Sequence, residues 1–132
     1  MNIEISNGEL LDKITILKIK LIKIKDDDKR KYLMEEHDLL VAKMMILTDS
    51  FDNKDDEGEY LKLFDQLFTV NERLWNIEDQ IREKESKNIF DKDFIELARS
   101  IYFINDVRSI IKKSINELTK SNIVEVKQYS RY

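Results

Sequence analysis

The sequence predicts an all-α protein, two antiparallel helical hairpins forming a four-helix bundle. Three observations lead there. The 132 residues include only two glycines and no proline, too few for the tight turns of a β-sandwich or barrel. Charged residues make up 38% and apolar residues 42%, the balance of long helices with one buried and one solvated face. The apolar residues recur at alternating spacings of three and four along most of the chain.

Each element can be justified in order. Ser6-Asn7-Gly8-Glu9 reads as a capping box that starts the first helix. Leu10, Ile14, Leu17, Leu21 and Ile24 then form its stripe. Leu17 to Leu21 also alternates like a strand, but the alternation slips at Leu21-Ile22, which a half-buried strand does not tolerate. Asp26-Asp27-Asp28 forms an acidic turn and the cap of a second helix, striped by Leu33, His37, Leu40, Met44, Leu47 and Phe51. The polar stretch from Asp49 to Glu59, containing Gly58, reads as the linker between the hairpins.

A third helix is expected from about Glu59 to Lys87, with a stripe of Tyr60, Phe64, Leu67, Asn71, Leu74, Glu78 and Ile81. Asn88 ends it and Asp91 or Asp93 caps the fourth, which runs to Lys120 on Phe94, Ala98, Ile101, Asn105, Arg108, Lys112 and Ile115. The chain is thus one helical domain: a first hairpin over 6–50, a longer second hairpin over 59–120 and a tail over 121–132. Ile3-Glu4-Ile5 and Ile123-Val124-Glu125-Val126 offer short β segments at the termini, able to pair as a small ribbon. The first hairpin is too short to cover the second, so the surplus apolar surface calls for a partner chain or a groove, and a homodimer is expected.

Composition also excludes functions. Without clustered glycines there is no phosphate loop, dinucleotide turn or nucleophile elbow, and without cysteine no zinc ribbon, disulfide framework or thiol nucleophile. A net charge of −4 argues against nucleic acid, which requires a basic face. No apolar run approaches the roughly 20 residues that cross a bilayer, and no signal peptide opens the chain, so a cytoplasmic protein without membrane association is expected. Nothing in the sequence calls for a cofactor or a bound metal.

The stripes of the third and fourth helices are not purely aliphatic. Asn71 and Glu78 on one, and Asn105, Arg108 and Lys112 on the other, occupy stripe positions, with Trp75, Arg82 and Asp106 beside them. A turn centred near Ile89 sets Asn71 opposite Arg108, Trp75 opposite Asn105 and Glu78 near Ile101. Burial of such groups is costly unless each is paired. Two readings follow: a polar lock that fixes helix register, or an inter-helix pocket of the kind bundles build. In the pocket reading Arg82, Arg108 and Lys112 hold an anionic or polyhydroxylated ligand, Asn71 and Asn105 read its hydroxyls, and Trp75 forms a flat wall. Glu78, if buried, is the candidate general acid or base.

Other candidates carry weaker chemistry. His37 on its apolar stripe reads as a core or interface residue, and Lys18, Lys20, Lys23 and Lys25 as a solvated face. Glu9 and Asp12, with Lys13 adjacent, share one helical face at a spacing able to hold Mg²⁺. Glu35 and Asp38 repeat that spacing, so a Mg²⁺-dependent all-α nucleotide pyrophosphohydrolase is one alternative and a helical interaction module with no small-molecule site another.

Four blocks carry a family resemblance: Glu4 to Leu17, reading EISNGELLDKITIL; Val70 to Arg82, reading VNERLWNIEDQIR; Asn105-Asp106-Val107-Arg108 leading to Lys112 and Asn116; and Glu125-Val126-Lys127-Gln128-Tyr129. Together they resemble a family of short bacterial and phage proteins of unknown function, over nearly the whole chain. The resemblance implies no activity, although bacterial members are associated with surface-glycan biosynthesis. Its motif positions fall on the polar constellation and add Glu9, Asp12, Lys13, Asp79, Asp106, Lys127 and Tyr129 as second-rank site residues. Gly8 lies within the first motif, where a Cβ would obstruct close approach by the tail or a ligand.

Overall fold

The computed structural model describes residues 1–130 and has four helices: α1 (Asn7–Lys23), α2 (Asp27–Asp49), α3 (Lys54–Ser86) and α4 (Lys92–Leu118). Each start is fixed by a short polar side chain that accepts from an orphan backbone N–H. Ser6 accepts from Glu9 N at 3.1 Å, Asp26 from Lys29 N at 3.0 Å, Asn53 from Asp55 N at 2.7 Å and Asp91 from Phe94 N at 2.9 Å. The Asp91 carboxyl is held below its ordinary pKa chiefly by that Phe94 N–H. Two of the four ends close with a left-handed residue, Asn88 at φ 55° and Lys120 at φ 53°. In each case a six-to-one bond completes the turn, Ile89 N to Lys84 O and Ser121 N to Asn116 O, both 2.9 Å. Arg30, on α2, donates to the carbonyls of Leu21 and Ile24 and so covers the end of α1.

The helices form a bundle in which α1 is the hub. It packs against α2, α3 and α4, and α3 packs along α4. Its buried residues, Gly8, Leu11, Asp12, Ile14, Thr15, Leu17 and Ile19, spread over more than half of its circumference rather than lining one stripe. The main core joins Leu11 to Tyr60, Leu63 and Leu67 of α3 and to Ile111 and Ile115 of α4, with Met44, Leu47 and Phe51 packed against it. Tyr60 is fully enclosed, packs against the tilted ring of Phe51 at 5.0 Å between centroids and lies 3.2 Å from the Thr48 hydroxyl. Burial pushes its phenol pKa up, against the lowering effect of Thr48. By contrast α2 buries no residue fully.

Three sequence expectations are corrected. The third helix begins at Lys54, five residues before Glu59, because Asn53 caps it and Asp55, Asp56 and Glu57 favour its positive end. Gly58 therefore lies inside α3, and the connection from α2 is confined to residues 50–53. No strand forms among the described residues. Ile3, Val124 and Val126 stay exposed, so a terminal ribbon would have no apolar face to bury. The termini meet through side chains instead: Asn7 N donates to Ser121 Oγ at 3.0 Å and Asn122 Nδ2 to Glu4 Oε1 at 3.2 Å. Of the tail expected over 121–132, residues 131 and 132 lie outside the described residues.

The buried stripes also rotate. In α3 the deeply buried residue near the hairpin's middle is Ile77, not Glu78, and in α4 it is Ile104, not Asn105. Adjacent residues stand about 100° apart on a helix, so turning Ile77 and Ile104 into the core carries the next residue, Glu78 or Asn105, out towards water, which avoids desolvating a carboxylate and an amide.

Candidate functional site

Asp12 is the centre of the polar constellation. It lies on the buried hub helix and is 1% exposed. A carboxylate so placed is tolerated only when its oxygens are taken up by donors. Asn71 Nδ2 of α3 donates to Oδ1 at 2.8 Å, Arg108 Nε of α4 donates to Oδ1 at 2.9 Å, and Arg108 Nη2 donates to Oδ2. Lys112 Nζ stands 3.8 Å from Oδ2. Asn71 Nδ2 also donates to Thr15 Oγ1 at 2.8 Å, and the Thr15 hydroxyl donates to Asp12 O at 2.7 Å. Three helices are thereby joined at one level.

Lys112 extends this knot towards the C-terminal tail. Its ammonium donates to Glu9 at 2.6 Å and to Glu125 at 3.2 Å, and Lys127 stands 3.8 Å from the other oxygen of Glu125. The charges balance locally: Glu9, Asp12 and Glu125 against Arg108, Lys112 and Lys127. Burial pulls the Lys112 pKa down, but the bond to Glu9 and the charges of Asp12 and Glu125 outweigh it and leave the value raised. Burial likewise pushes Glu125 up, and its contacts with Glu9, Lys112 and Lys127 bring it below its ordinary value. The Arg108 guanidinium is held still more firmly charged, mainly by its bond to Asp12.

Gly8 permits this approach of α1 to α4. Its N–H donates to Asn116 Oδ1 at 2.6 Å, and a Cβ at Gly8 would fall 2.6 Å from the Lys112 carbonyl oxygen. The obstruction read from the sequence is real, but the neighbour is the α4 backbone rather than the tail or a ligand.

The structure divides the predicted site residues into three groups. Asn71, Arg108 and Lys112 join Glu9 and Asp12 in the knot, with Lys13 at its exposed edge, 3.9 Å from Glu9. Trp75, Glu78, Asp79 and Arg82 line a depression of about 390 Å³ between α1 and α3, floored by Ile16 and Ile19 and reached by Arg108. Asn105, Asp106, Lys127 and Tyr129 line a larger cleft of about 790 Å³ between α4 and the tail, together with Tyr102, Ser109 and Ser130. Arg108 and Lys112 form the wall of this cleft, so the guanidinium of Arg108 borders both cavities.

Glu78 lacks the burial that its assignment as a general acid or base rested on. Its side chain is half exposed and stands 3.9 Å from Arg82, one turn along the same helix. The paired carboxylates at Glu9 and Asp12 are occupied by the N–H donors of Lys112 and Arg108, a donor set that competes with a divalent cation. Glu35 and Asp38 lie on the exposed side of α2. No three acidic or histidine side chains gather as metal ligands among the described residues, and no helix there is long and apolar enough to cross a membrane.

Sequence reasoning ranked Asp12 below the α3 and α4 residues and passed over Thr15, Ser109 and the acceptor role of Asn116. A usable signal existed: Asp12 and Thr15 share one helical face, and Asn116 continues the Arg108–Lys112 line by one more step of four.

No curated protein and no solved structure matches the chain. A family of unknown function, DUF6165, matches it over residues 1–132, the full length of the sequence. With all four motif blocks inside that match, the chain belongs to this family of unknown function.

Proposed function

We propose that the protein binds a small polyhydroxylated ligand, of the saccharide class, in the cleft between α4 and the C-terminal tail. The observation that carries this reading is the lining of that cleft. Asn105, Ser109 and Ser130 supply amide and hydroxyl groups, and Tyr102 and Tyr129 supply ring surface. The cations of its lining, Arg108, Lys112 and Lys127, already pair with carboxylates of the chain. An anion would have to displace those carboxylates, whereas a neutral polyol can hydrogen-bond to mixed donors and acceptors and stack on aromatic faces. Such a ligand agrees with a place in surface-glycan metabolism within the cytoplasm.

Saturation-transfer NMR and calorimetry with a panel of neutral mono- and oligosaccharides test the proposal, with inorganic phosphate as the anionic control. A saccharide should bind, and Asn105→Ala or Tyr129→Ala should weaken it at least tenfold, about 1.4 kcal/mol, without lowering thermal stability. Binding of phosphate alone, or saccharide affinity indifferent to both variants, would overturn it.

A register-lock role for the knot is a second reading. Among the described residues no buried side-chain polar atom lacks a partner, as a lock requires. The two readings concern different residues and are compatible, since the lock also holds the cleft's wall in place.

A further inference from the structure

The outward face of α2 carries an apolar line that the fold leaves uncovered. Tyr32, Leu39 and Ile46 recur at intervals of seven and are 73%, 64% and 67% exposed. Seven-residue spacing keeps a line of side chains facing one partner helix along its length. The face towards α1 is a separate line of half-buried residues, Leu33, His37, Leu40, Met44 and Leu47. Thus α2 has two apolar seams, and only one is used within the chain.

We propose that the second seam pairs with α2 of a second copy of this chain, in antiparallel orientation, about a two-fold axis beside Leu39. Charge complementarity selects this occupant and this orientation. Between the apolar positions lie Glu35 and Ala42, and along one flank run Glu36 and Lys43, all exposed. In an antiparallel pair the small Ala42 lies opposite Leu39 of the second copy. Glu36 then faces Lys43 of the second copy, and two-fold symmetry makes that contact twice. A parallel pair would instead set Glu35 against its own copy in the seam, two like charges in the least solvated part of the contact.

The apolar seam supplies the attraction and the flanking charges set the orientation. This interface lies on α2, whereas the proposed ligand cleft lies between α4 and the tail, so the two proposals stand or fall separately.

Analytical ultracentrifugation of the full chain tests it. Wild type should sediment at twice the 15.9 kDa chain mass, and Leu39→Glu at the single-chain mass with an unchanged helical circular dichroism spectrum. Glu36→Lys alone sets lysines against each other and Lys43→Glu alone sets glutamates against each other, so each should shift the sample towards monomer. The double variant Glu36→Lys/Lys43→Glu recreates both pairs and should restore the dimer. A monomeric wild type, a dimer indifferent to Leu39→Glu, or a double variant that stays monomeric would overturn the proposal.

Discussion

Arg108 of α4 grips Asp12 of α1 through two N–H donors, Nε on Oδ1 at 2.9 Å and Nη2 on Oδ2, across 96 positions of sequence. This side-on fork lets one guanidinium satisfy both oxygens of a carboxylate at once. Its strength as a constraint lies in what happens when one half is removed. Arg108→Ala strips the buried Asp12 carboxyl of its bidentate partner, leaving it Asn71 and, at 3.8 Å, Lys112, and should cost about 3 kcal/mol of stability by chemical denaturation. Asp12→Ala should cost a similar amount. The double variant should cost distinctly less than the sum of the two, because neither half is then left without its partner.

Glycine substitutions should separate by sign. Gly58 lies within α3, and a methyl added there would meet nothing within 4 Å, so Gly58→Ala should stabilise by about 0.8–1.0 kcal/mol through helix propensity alone. Gly8→Ala adds the same methyl in the first turn of α1, where the Lys112 carbonyl oxygen stands 2.6 Å away. That contact is with backbone, which cannot swing aside, so the variant should lose about 1–3 kcal/mol. Thermal denaturation of the pair reads both signs.

The tail contact should be pH-dependent at both ends. The Glu125 pKa is lowered in the folded protein, so its contribution is whole above the ordinary glutamate value near 4.3 and fades as pH falls through the lowered value. The Lys112 pKa is raised, so its contribution is whole below about 10.4 and is lost as pH climbs through the raised value. Amide NMR signals of residues 123–130 should therefore show the tail bound at neutral pH and released at either extreme. Glu125→Gln should weaken the neutral contact and remove its acid limb.

Lys120 ends α4 in the left-handed region, at φ 53°, where an L side chain costs about 1–2 kcal/mol. It is exposed and its side chain serves no contact in the knot. Lys120→Gly should raise stability by about 0.5–1 kcal/mol, visible as a higher denaturation midpoint.

The helices were legible because their signals are local. Ser6, Asp26 and Asp91 cap where the sequence places caps, and Asn88, expected to end the third helix, does so in the left-handed region. Asn53 was missed because the acidic run after it resembles a linker, although a helix start favours that charge. Hairpin register set Asn71 opposite Arg108, and the two converge on Oδ1 of Asp12, a third partner that register alone does not supply. Asp12 was less so: a stripe presumes one buried face, and α1 is enclosed by three helices, so position along the stripe says little about burial there. Glu78 and Asn105 face outward because the isoleucine before each, Ile77 and Ile104, takes the buried place, a choice between neighbours that a polar-tolerant stripe does not reveal.

The knot also has a consequence for the order in which the chain acquires its shape. Synthesis delivers Glu9 and Asp12 first, and their cationic partners Arg108 and Lys112 emerge about a hundred residues later. The α3–α4 hairpin can assemble from neighbours in sequence, but closing so long a loop onto α1 is entropically slow and comes late. Until then Asp12 has only Asn71 of α3 as a partner, and Glu9 only Lys13 on its own helix. The acidic pair on α1 thus gains its strongest partners only when the last helix has been made.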